Sequence, residues 1–142
     1  MRILLAGHGH MATGVLSGLE MIFGQRNDIE TVEFLDGETK TELDTKMDEA
    51  LGRLSDADEI LLLCDVLQGS PFQCAASHAL RDERITVVFG VNLAMALEAV
   101  ARAVDPEAHA RDVAAAIVEA GRSHIGVFDP ASVASEDEDD DW

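Results

Sequence analysis

Two histidines stand in the motif Gly7-His8-Gly9-His10, where an apolar run ends and a helical pattern begins. Histidine is the side chain whose ordinary charge change falls near neutral pH, and its ring nitrogen can act as a nucleophile. The first amides of a helix are unpaired and the helix dipole is positive there, so a helix N-terminus favours anions. A nucleophilic nitrogen beside an anion site indicates phosphoryl chemistry on the histidine itself.

Two other interpretations of this motif remain open on the local sequence. His8 is flanked by glycines, which allow a tight turn and the close approach of another molecule, but it could also be an exposed loop residue without a chemical role. His10 is the rival candidate, nearer the helix interior, where it would pack against the first turn or face solvent.

Asp65 ends the third apolar run, Leu61-Leu62-Leu63-Cys64. A carboxylate at this place can accept a hydrogen bond from one imidazole nitrogen, which fixes the tautomer and stabilises the positive charge that develops on the ring. The alternative is that Asp65 only caps a turn. The combination with His8 favours the pairing.

The segment Gln68–Gln73 is typical of a helix start. Ser70 is predicted to be the N-cap, Pro71 suits the first helical position, and Gln73 completes a capping box. Helix capping alone would explain these residues. The functional hypothesis is additional: the same amides and the Ser70 hydroxyl would hold phosphoryl oxygens that face His8.

The remaining polar candidates are weaker. Asn92 is interpreted mainly as a structural residue that ties down its own loop or a neighbouring one. Five histidines without clustered cysteines or paired carboxylates do not indicate a metal site, and no cofactor is expected. Three histidines without ligand spacing are predicted to lie on the surface: His78, His109 and His124. The two cysteines are predicted to be reduced, buried thiols: Cys64 and Cys74.

Short apolar runs alternate with helix-periodic stretches along the chain. The predicted strands are Arg2–Ala6, Thr31–Leu35, Glu59–Cys64 and Ile85–Phe89, with a weak strand at Ile125–Phe128. Apolar residues at helical intervals follow each main strand, and a last helix is predicted around Glu107–Ala120. The alternation predicts an α/β fold, a three-layer sandwich with a mostly parallel central sheet and right-handed crossovers.

In such folds the ligand site lies outside the carboxyl ends of the strands. Four places meet this condition: His8, Asp36-Gly37, Asp65 and Gly90-Val91-Asn92. The sequence therefore predicts that the candidate residues after the first and third strands lie at one edge of the sheet.

The composition limits the number of domains, the kind of core and the classes of partner that the chain can have. A chain of 142 residues with 47% hydrophobic residues is one domain with a real core, and only 4% aromatic residues make that core mainly aliphatic. A formal charge of −18 argues against nucleic acid and anionic membrane surfaces as partners. The N-terminal apolar run is too short for a signal peptide or a membrane span, so a cytoplasmic protein is expected.

Two other α/β families can be tested on specific residues. A flavodoxin needs a hydroxyl-rich phosphate loop after the first strand, where this chain has His8 and glycines. A response-regulator receiver could use Asp65 as phosphoacceptor, but it needs acidic metal ligands near the first strand and a lysine late in the chain. The chain has only Lys40 and Lys46, so both families are disfavoured.

The chain resembles the enzyme IIA domain of the mannose-family sugar phosphotransferase system (PTS), from Met1 to about Gly126. The resemblance rests on several motifs in the right order and spacing. They are Gly7-His8-Gly9 followed by Leu19-Glu20-Met21-Ile22-Phe23-Gly24, Asp65 with Gly69-Ser70-Pro71-Phe72, and Gly90-Val91-Asn92-Leu93 with Met95. It implies the PTS mannose-type IIA fold, with residues 1–130 as the domain and residues 131–142 as an acidic tail expected to be disordered.

The resemblance also implies a function and a site. His8, rather than His10, would take a phosphoryl group from the carrier protein HPr and pass it to the IIB component, which serves the IIC and IID membrane components. Asp65 would pair with His8, and Gly9, Gly69 and Ser70 would bind the phosphoryl group. Such a phosphotransferase needs no metal, because phosphohistidine is already an activated donor.

The family resemblance further implies a homodimer, with Ile125–Phe128 as a C-terminal edge strand, and a IIB component on a separate polypeptide. The chain departs from the family pattern at Leu67-Gln68, where a bulkier residue and a glycine are common. Two alternatives remain: a phosphoryl donor subunit for a dihydroxyacetone kinase, and a regulatory module that reports the phosphorylation state of the PTS.

Overall fold

The computed structural model describes residues 1–133, which form four strands and six helices. The strands are β1 (Arg2–His8), β2 (Ile29–Phe34), β3 (Ile60–Cys64) and β4 (Ile85–Val88). The helices are α1 (Met11–Phe23), α2 (Lys40–Arg53), α3 (Ser70–Ala79), α4 (Leu93–Ala103), α5 (Ala110–Ser123) and α6 (Pro130–Val133). The predicted main strands and the predicted last helix are confirmed, with bounds that shift by a few residues.

The four strands form one parallel sheet in the order β2-β1-β3-β4. Strand β1 lies between β2 and β3, with His8 beside Phe34 on one side and Ala6 beside Cys64 on the other. The chain therefore winds away from β1 in both directions, and the order reverses between β1 and β3. In open parallel sheets this reversal opens a crevice at the carboxyl ends of the two strands.

Helices cover both faces of the sheet. Alternate residues of β1 point to opposite faces: Ile3 and Leu5 pack with α1, α4 and α5, whereas Leu4 and Ala6 pack with α2 and α3. All five residues of β3 are buried, as is expected for a strand covered on both sides. The predicted three-layer α/β sandwich is confirmed, and the described sheet is entirely parallel.

Local capping fixes where two of the helices begin. At α2, the Thr39 hydroxyl accepts a hydrogen bond from the Glu42 N–H, and the Glu42 carboxylate accepts one from the Thr39 N–H. At α4, the Asn92 side chain accepts from the Met95 N–H and donates to the Gly121 carbonyl in α5. Asn92 thus joins its own helix to a neighbouring one, which confirms its interpretation as a structural residue.

The C-terminal part differs from the prediction. The segment Ile125–Phe128 is not a strand in the single chain: it has no regular structure and pairs with no described strand. Its apolar side chains are exposed, Val127 to 97%. The predicted tail of residues 131–142 begins within α6, and residues 134–142 lie outside the described part. No helix within residues 1–133 has the length and apolar character needed to span a membrane.

Candidate functional site

His8 lies at the carboxyl end of β1 and Asp65 directly follows β3. The His8 Nδ1 is 2.7 Å from the Asp65 Oδ2, and the same carboxylate oxygen accepts a hydrogen bond of 2.8 Å from the His8 backbone N–H. The His8 side chain is 47% exposed, whereas the Asp65 side chain is only 10% exposed. The pair expected from the sequence is therefore formed, with the carboxylate inside and the ring at the surface.

The charge of Asp65 decides which nitrogen of His8 is free. Burial opposes ionisation of this carboxyl, but hydrogen bonds from the His8 N–H and from the His8 ring outweigh it, so the pKa of Asp65 is lowered. A carboxylate only accepts hydrogen bonds, and Nδ1 must therefore carry the hydrogen in this contact. The Nε2 atom makes no hydrogen bond within residues 1–133 and keeps its lone pair when the ring is neutral.

Two glycines allow the close approach on which this geometry depends. A Cβ atom at Gly69 would lie 2.7 Å from the His8 Cε1, closer than van der Waals contact permits. A Cβ atom at Gly7 would lie 3.2 Å from the Asp65 Oδ2 and 3.0 Å from the Met11 Cβ. The edge of the ring also contacts Phe34, with centroids 6.0 Å apart. The ring is held between the end of β2 and the start of α3.

The loop between Asp65 and α3 has an unusual backbone. Gln68 has a φ of +68°, in the left-handed region that favours glycine. This is the position where the sequence departs from the glycine common in the family it resembles. The Gln73 side chain donates to the Gln68 carbonyl oxygen, which helps to hold the loop in this conformation.

The predicted capping box at α3 is wrong. Gly69 is the N-cap and Ser70 is the first helical residue, and no side chain within residues 1–133 caps the helix. The Gln73 side chain cannot complete a box because it is bonded to Gln68. Ser70 makes no hydrogen bond through its N–H or hydroxyl within the described residues, and Pro71 has no N–H. Ser70 therefore keeps free donors at the start of α3, one residue after the Gly69 that contacts His8.

Gly9 and His10 have structural partners. Gly9 has a φ of +54° and donates its N–H to the Phe34 carbonyl, at 2.8 Å. The Gly9 N–H is therefore not free to bind a ligand. The role of Gly9 in the structure is to allow the turn of the chain after His8. His10 is the N-cap of α1, with a side chain that is 80% exposed and paired through Nδ1 with Glu33. The two histidines of the motif lie in different environments.

The loop after β4 supports Asp65 through the backbone. The Gly90 N–H donates to the Asp65 carbonyl at 2.5 Å, and the Val91 N–H donates to the Cys64 carbonyl at 3.0 Å. Gly90 has a φ of +77°. The position of this loop at the same edge of the sheet was predicted from the sequence. Its backbone hydrogen bonds to Cys64 and Asp65 were not predicted, because no side-chain pattern indicates them. Asp36-Gly37 was also predicted to lie at this edge of the sheet. Among the described residues, no hydrogen bond joins it to His8 or Asp65.

The predictions for the remaining histidines and cysteines are partly wrong. His109 and His124 are exposed, as predicted, but His78 is buried at 7% exposure because it faces α2 across the interface with α3. Both cysteines are free thiols; Cys64 is buried and Cys74 is half-buried. Burial, followed by nearby negative charge, raises the pKa of each thiol to about 12.

Comparisons with known proteins identify the family to which the chain belongs. The sequence pattern of the family described as "PTS system fructose IIA component" matches residues 2–118. The chain is 34% identical over 96 residues to the PTS fructose-specific EIIA component of Bacillus subtilis, covering 68% of this chain and 66% of that protein. It is 32% identical over 124 residues to the PTS mannose-specific EIIAB component of Escherichia coli K12, covering 87% of this chain and 38% of that protein.

Solved structures give the same result for the fold. A PTS component EIIA from Streptococcus agalactiae superposes with a TM-score of 0.81 at 28% identity, over 89% of this chain and 96% of that one. A mannose/sorbose-specific IIA subunit from Enterococcus faecalis gives a TM-score of 0.81 at 29% identity, over 90% and 94% of the two chains. The chain belongs to the EIIA-man family of PTS IIA components.

Proposed function

We propose that this chain is a cytoplasmic phosphocarrier of the sugar PTS, in which His8 accepts a phosphoryl group from phospho-HPr and passes it to a IIB component. The observation that carries the proposal is the pairing of His8 Nδ1 with Asp65 Oδ2 at 2.7 Å. This contact leaves Nε2 as the nitrogen that can attack, on a ring that is 47% exposed.

The transfer balances without a further reactant. The lone pair of His8 Nε2 attacks the phosphorus of the phosphohistidine on HPr. As the new N–P bond forms, the N–P bond to HPr breaks and its electron pair returns to the donor imidazole. Positive charge develops on the His8 ring, and the adjacent Asp65 carboxylate stabilises that charge while keeping the hydrogen on Nδ1. Transfer to a histidine of IIB repeats the step in the opposite direction.

The start of α3 is suited to the phosphoryl oxygens. The unpaired N–H and the hydroxyl of Ser70 are donors, and the positive end of the helix dipole favours negative charge there. Gly69 places this helix start against the ring, because its missing side chain leaves room for His8 Cε1. In this proposal the Ser70 N–H and hydroxyl bind the phosphoryl group directly. Gly69 and Gly9 shape the phosphoryl site through the backbone, because the Gly69 N–H donates to the Val66 carbonyl at 3.2 Å and the Gly9 N–H donates to the Phe34 carbonyl.

The surface around His8 is suited to docking of other proteins. Val66 and Leu67, in the loop before α3, are 57% and 50% exposed, and Met11 at the start of α1 is 37% exposed. These exposed apolar side chains lie within three residues of His8 or Asp65 along the chain, and the proposed reactive ring must meet two partners in turn. Exposed apolar residues near a functional centre are typical of protein interaction sites. We therefore assign HPr and IIB to this face, with IIC and IID as indirect partners.

The proposal includes a homodimer that uses the C-terminal segment. Ile125 lines an apolar groove together with Val88 of β4 and Val118 of α5. The following residues Val127 and Phe128 are 97% and 73% exposed, so a second copy could bury them. Light scattering of the full chain is expected to give twice the chain mass, and removal of residues 125–142 should give the monomer mass.

The phosphocarrier function is tested by incubating the chain with phosphoenolpyruvate, enzyme I and HPr. We expect one phosphoryl group per chain, followed by transfer to a purified mannose-family IIB component. Labelling by HPr without transfer to IIB would overturn the transport function. If the label then moved to dihydroxyacetone kinase, the chain would be a kinase donor; if it moved to neither, the chain would be a regulatory module.

A further inference from the structure

Four side chains meet between α2 and α3, the two helices that cover one face of the sheet. Asp44 and Asp48 come from α2, Cys74 and His78 from α3, and we call them the α2–α3 cluster. Each pair is separated by four residues, so each pair lies on one face of its helix. The two faces oppose each other, and the resulting set of one sulfur, one imidazole and two carboxylates is independent of the proposed function at His8.

Three donor atoms of this cluster, from Asp44, Cys74 and His78, all lie within 4.8 Å of one another, close enough to share a metal ion. The Asp44 Oδ1 is 3.6 Å from the Cys74 Sγ and 3.7 Å from the His78 Nε2. The Asp48 Oδ1 is 2.7 Å from the same His78 Nε2. For tetrahedral zinc, bonds of about 2.0 Å to N or O and about 2.3 Å to S place neighbouring ligand atoms roughly 3.3–3.5 Å apart. The separations from Asp44 to Cys74 and His78 are within a few tenths of an ångström of these values. The contact between Asp48 and His78 is shorter and must lengthen by roughly 0.6 Å for both atoms to bind the metal.

The orientation of His78 is already that of a metal ligand. Its side chain is 8% exposed, and its Nδ1 is 2.9 Å from the Cys74 backbone carbonyl. Because a carbonyl oxygen only accepts, Nδ1 carries a hydrogen and Nε2 is the atom directed at the two carboxylates. Metal-binding histidines are commonly held in this way, with the second nitrogen donating to a backbone carbonyl.

The cluster is open to solvent on one side. The Asp44 and Asp48 side chains are 53% and 66% exposed, and Asp44 and Cys74 line a groove between the two helices. The carboxylates supply negative charge, and Arg81 is the cation that acts on the Cys74 thiol. A cation can therefore enter from solvent and meet a buried imidazole behind exposed carboxylates.

We propose that Asp44, Asp48, Cys74 and His78 bind a zinc ion. Sulfur and imidazole ligands favour zinc over magnesium and calcium, which prefer oxygen. On binding, the Cys74 thiol loses its proton to solvent and forms the Zn–S bond. The proton shared by His78 Nε2 and Asp48 Oδ1 is also released, and then the nitrogen and the carboxylate oxygen both bind the metal. The ion cross-links α2 to α3, the helix whose N-cap Gly69 lies beside His8.

The test is a calorimetric titration: the full chain is first freed of metal with a chelator, and Zn²⁺ is then added while the heat of binding is measured. We expect one site per chain. Cys74→Ser and His78→Gln should each weaken binding by at least about 10- to 100-fold. Substitution by Co²⁺ should give a thiolate-to-cobalt absorption band in the wild type and none in Cys74→Ser, which reports the sulfur ligand directly.

Matched variants exclude binding elsewhere. His124→Gln, at an exposed histidine, and His8→Gln, at the proposed reactive histidine, should bind Zn²⁺ as the wild type does. Asp44→Asn changes an exposed side chain and should weaken binding even if His78→Gln does not fold. Equal binding by the wild type, Cys74→Ser and Asp44→Asn would overturn the proposal, as would loss of binding in His8→Gln or the absence of a saturable site.

Discussion

Gly69 lies against the ring of His8 so closely that a side chain at position 69 has no room. Its missing Cβ would be 2.7 Å from the His8 Cε1, the carbon between the two ring nitrogens. The φ of Gly69 is −71°, an ordinary value for any residue. The position therefore requires glycine because of the contact with His8 and not because of its backbone conformation.

Gly69→Ala should displace the His8 ring and slow phosphoryl acceptance from HPr. A shift of about 1 Å in a reacting group can reduce a rate by roughly 100-fold, and we expect a loss of that order. Rapid-quench labelling measures the rate. Gly52→Ala is the control and should leave the rate unchanged, since a Cβ there meets no atom of the described residues within 4 Å. A wild-type rate in Gly69→Ala would mean that the contact does not position the ring.

Asp65→Asn should change how stability depends on pH. The pKa of Asp65 is lowered on folding from its ordinary value of 3.8, so its ionised form favours the folded state. This contribution is fully present above the unfolded value and is lost as the pH falls through the folded value. Near neutral pH, the free energy of unfolding should therefore be higher for the wild type than for Asp65→Asn, by about 1 kcal/mol.

Urea unfolding from neutral pH down to about pH 3 measures this dependence. The difference between wild type and Asp65→Asn should be constant near neutral pH and should shrink below 3.8. Asp58→Asn, at an exposed aspartate, is the control and should show no such change. A difference that grows as the pH falls would have the wrong sign for a lowered pKa.

Gln68→Gly should stabilise the protein. Gln68 occupies the left-handed region, at a φ of +68°, which costs a non-glycine residue roughly 1–2 kcal/mol. Part of that gain is offset because glycine has more freedom in the unfolded chain, so we expect a net increase of about 0.5–1 kcal/mol in the free energy of unfolding. The bond from Gln73 to the backbone carbonyl of residue 68 is retained.

The matched control for this substitution is Gln25→Gly, in the loop after α1. Gln25 does not have a positive φ, so glycine brings only the added freedom of the unfolded chain and should destabilise by about 0.5–1 kcal/mol. Urea unfolding compares both variants with the wild type. If both glycines destabilised the protein to the same extent, strain at Gln68 would be disproved.

The pairing of His8 with Asp65 could be predicted from the sequence, because both residues end apolar runs and parallel strands end at one edge of a sheet. Residues at that edge meet only if their strands are neighbours, and β1 does lie beside β3. The contact between Gly69 and the His8 ring could not be predicted, since it depends on the path of the loop through Gln68.

The prediction for His78 was wrong because its partners lie far away in the sequence. Its sequence neighbours gave no ligand spacing, and the prediction placed it on the surface. Its partners Asp44 and Asp48 lie about 30 residues earlier, on another helix. Only the packing of α2 against α3 brings the paired carboxylates to the cysteine and the histidine. In the same way, an apolar pattern at Ile125–Phe128 does not reveal whether a strand partner lies within reach.

The central claim is that His8, and not His10, receives the phosphoryl group, and peptide mass spectrometry tests it directly. Wild type, His8→Ala and His10→Ala are each incubated with phosphoenolpyruvate, enzyme I and HPr, and the modified peptide is identified. We predict one phosphoryl group on His8 in the wild type and in His10→Ala, and none in His8→Ala. Labelling of His8→Ala at the wild-type rate would contradict the account.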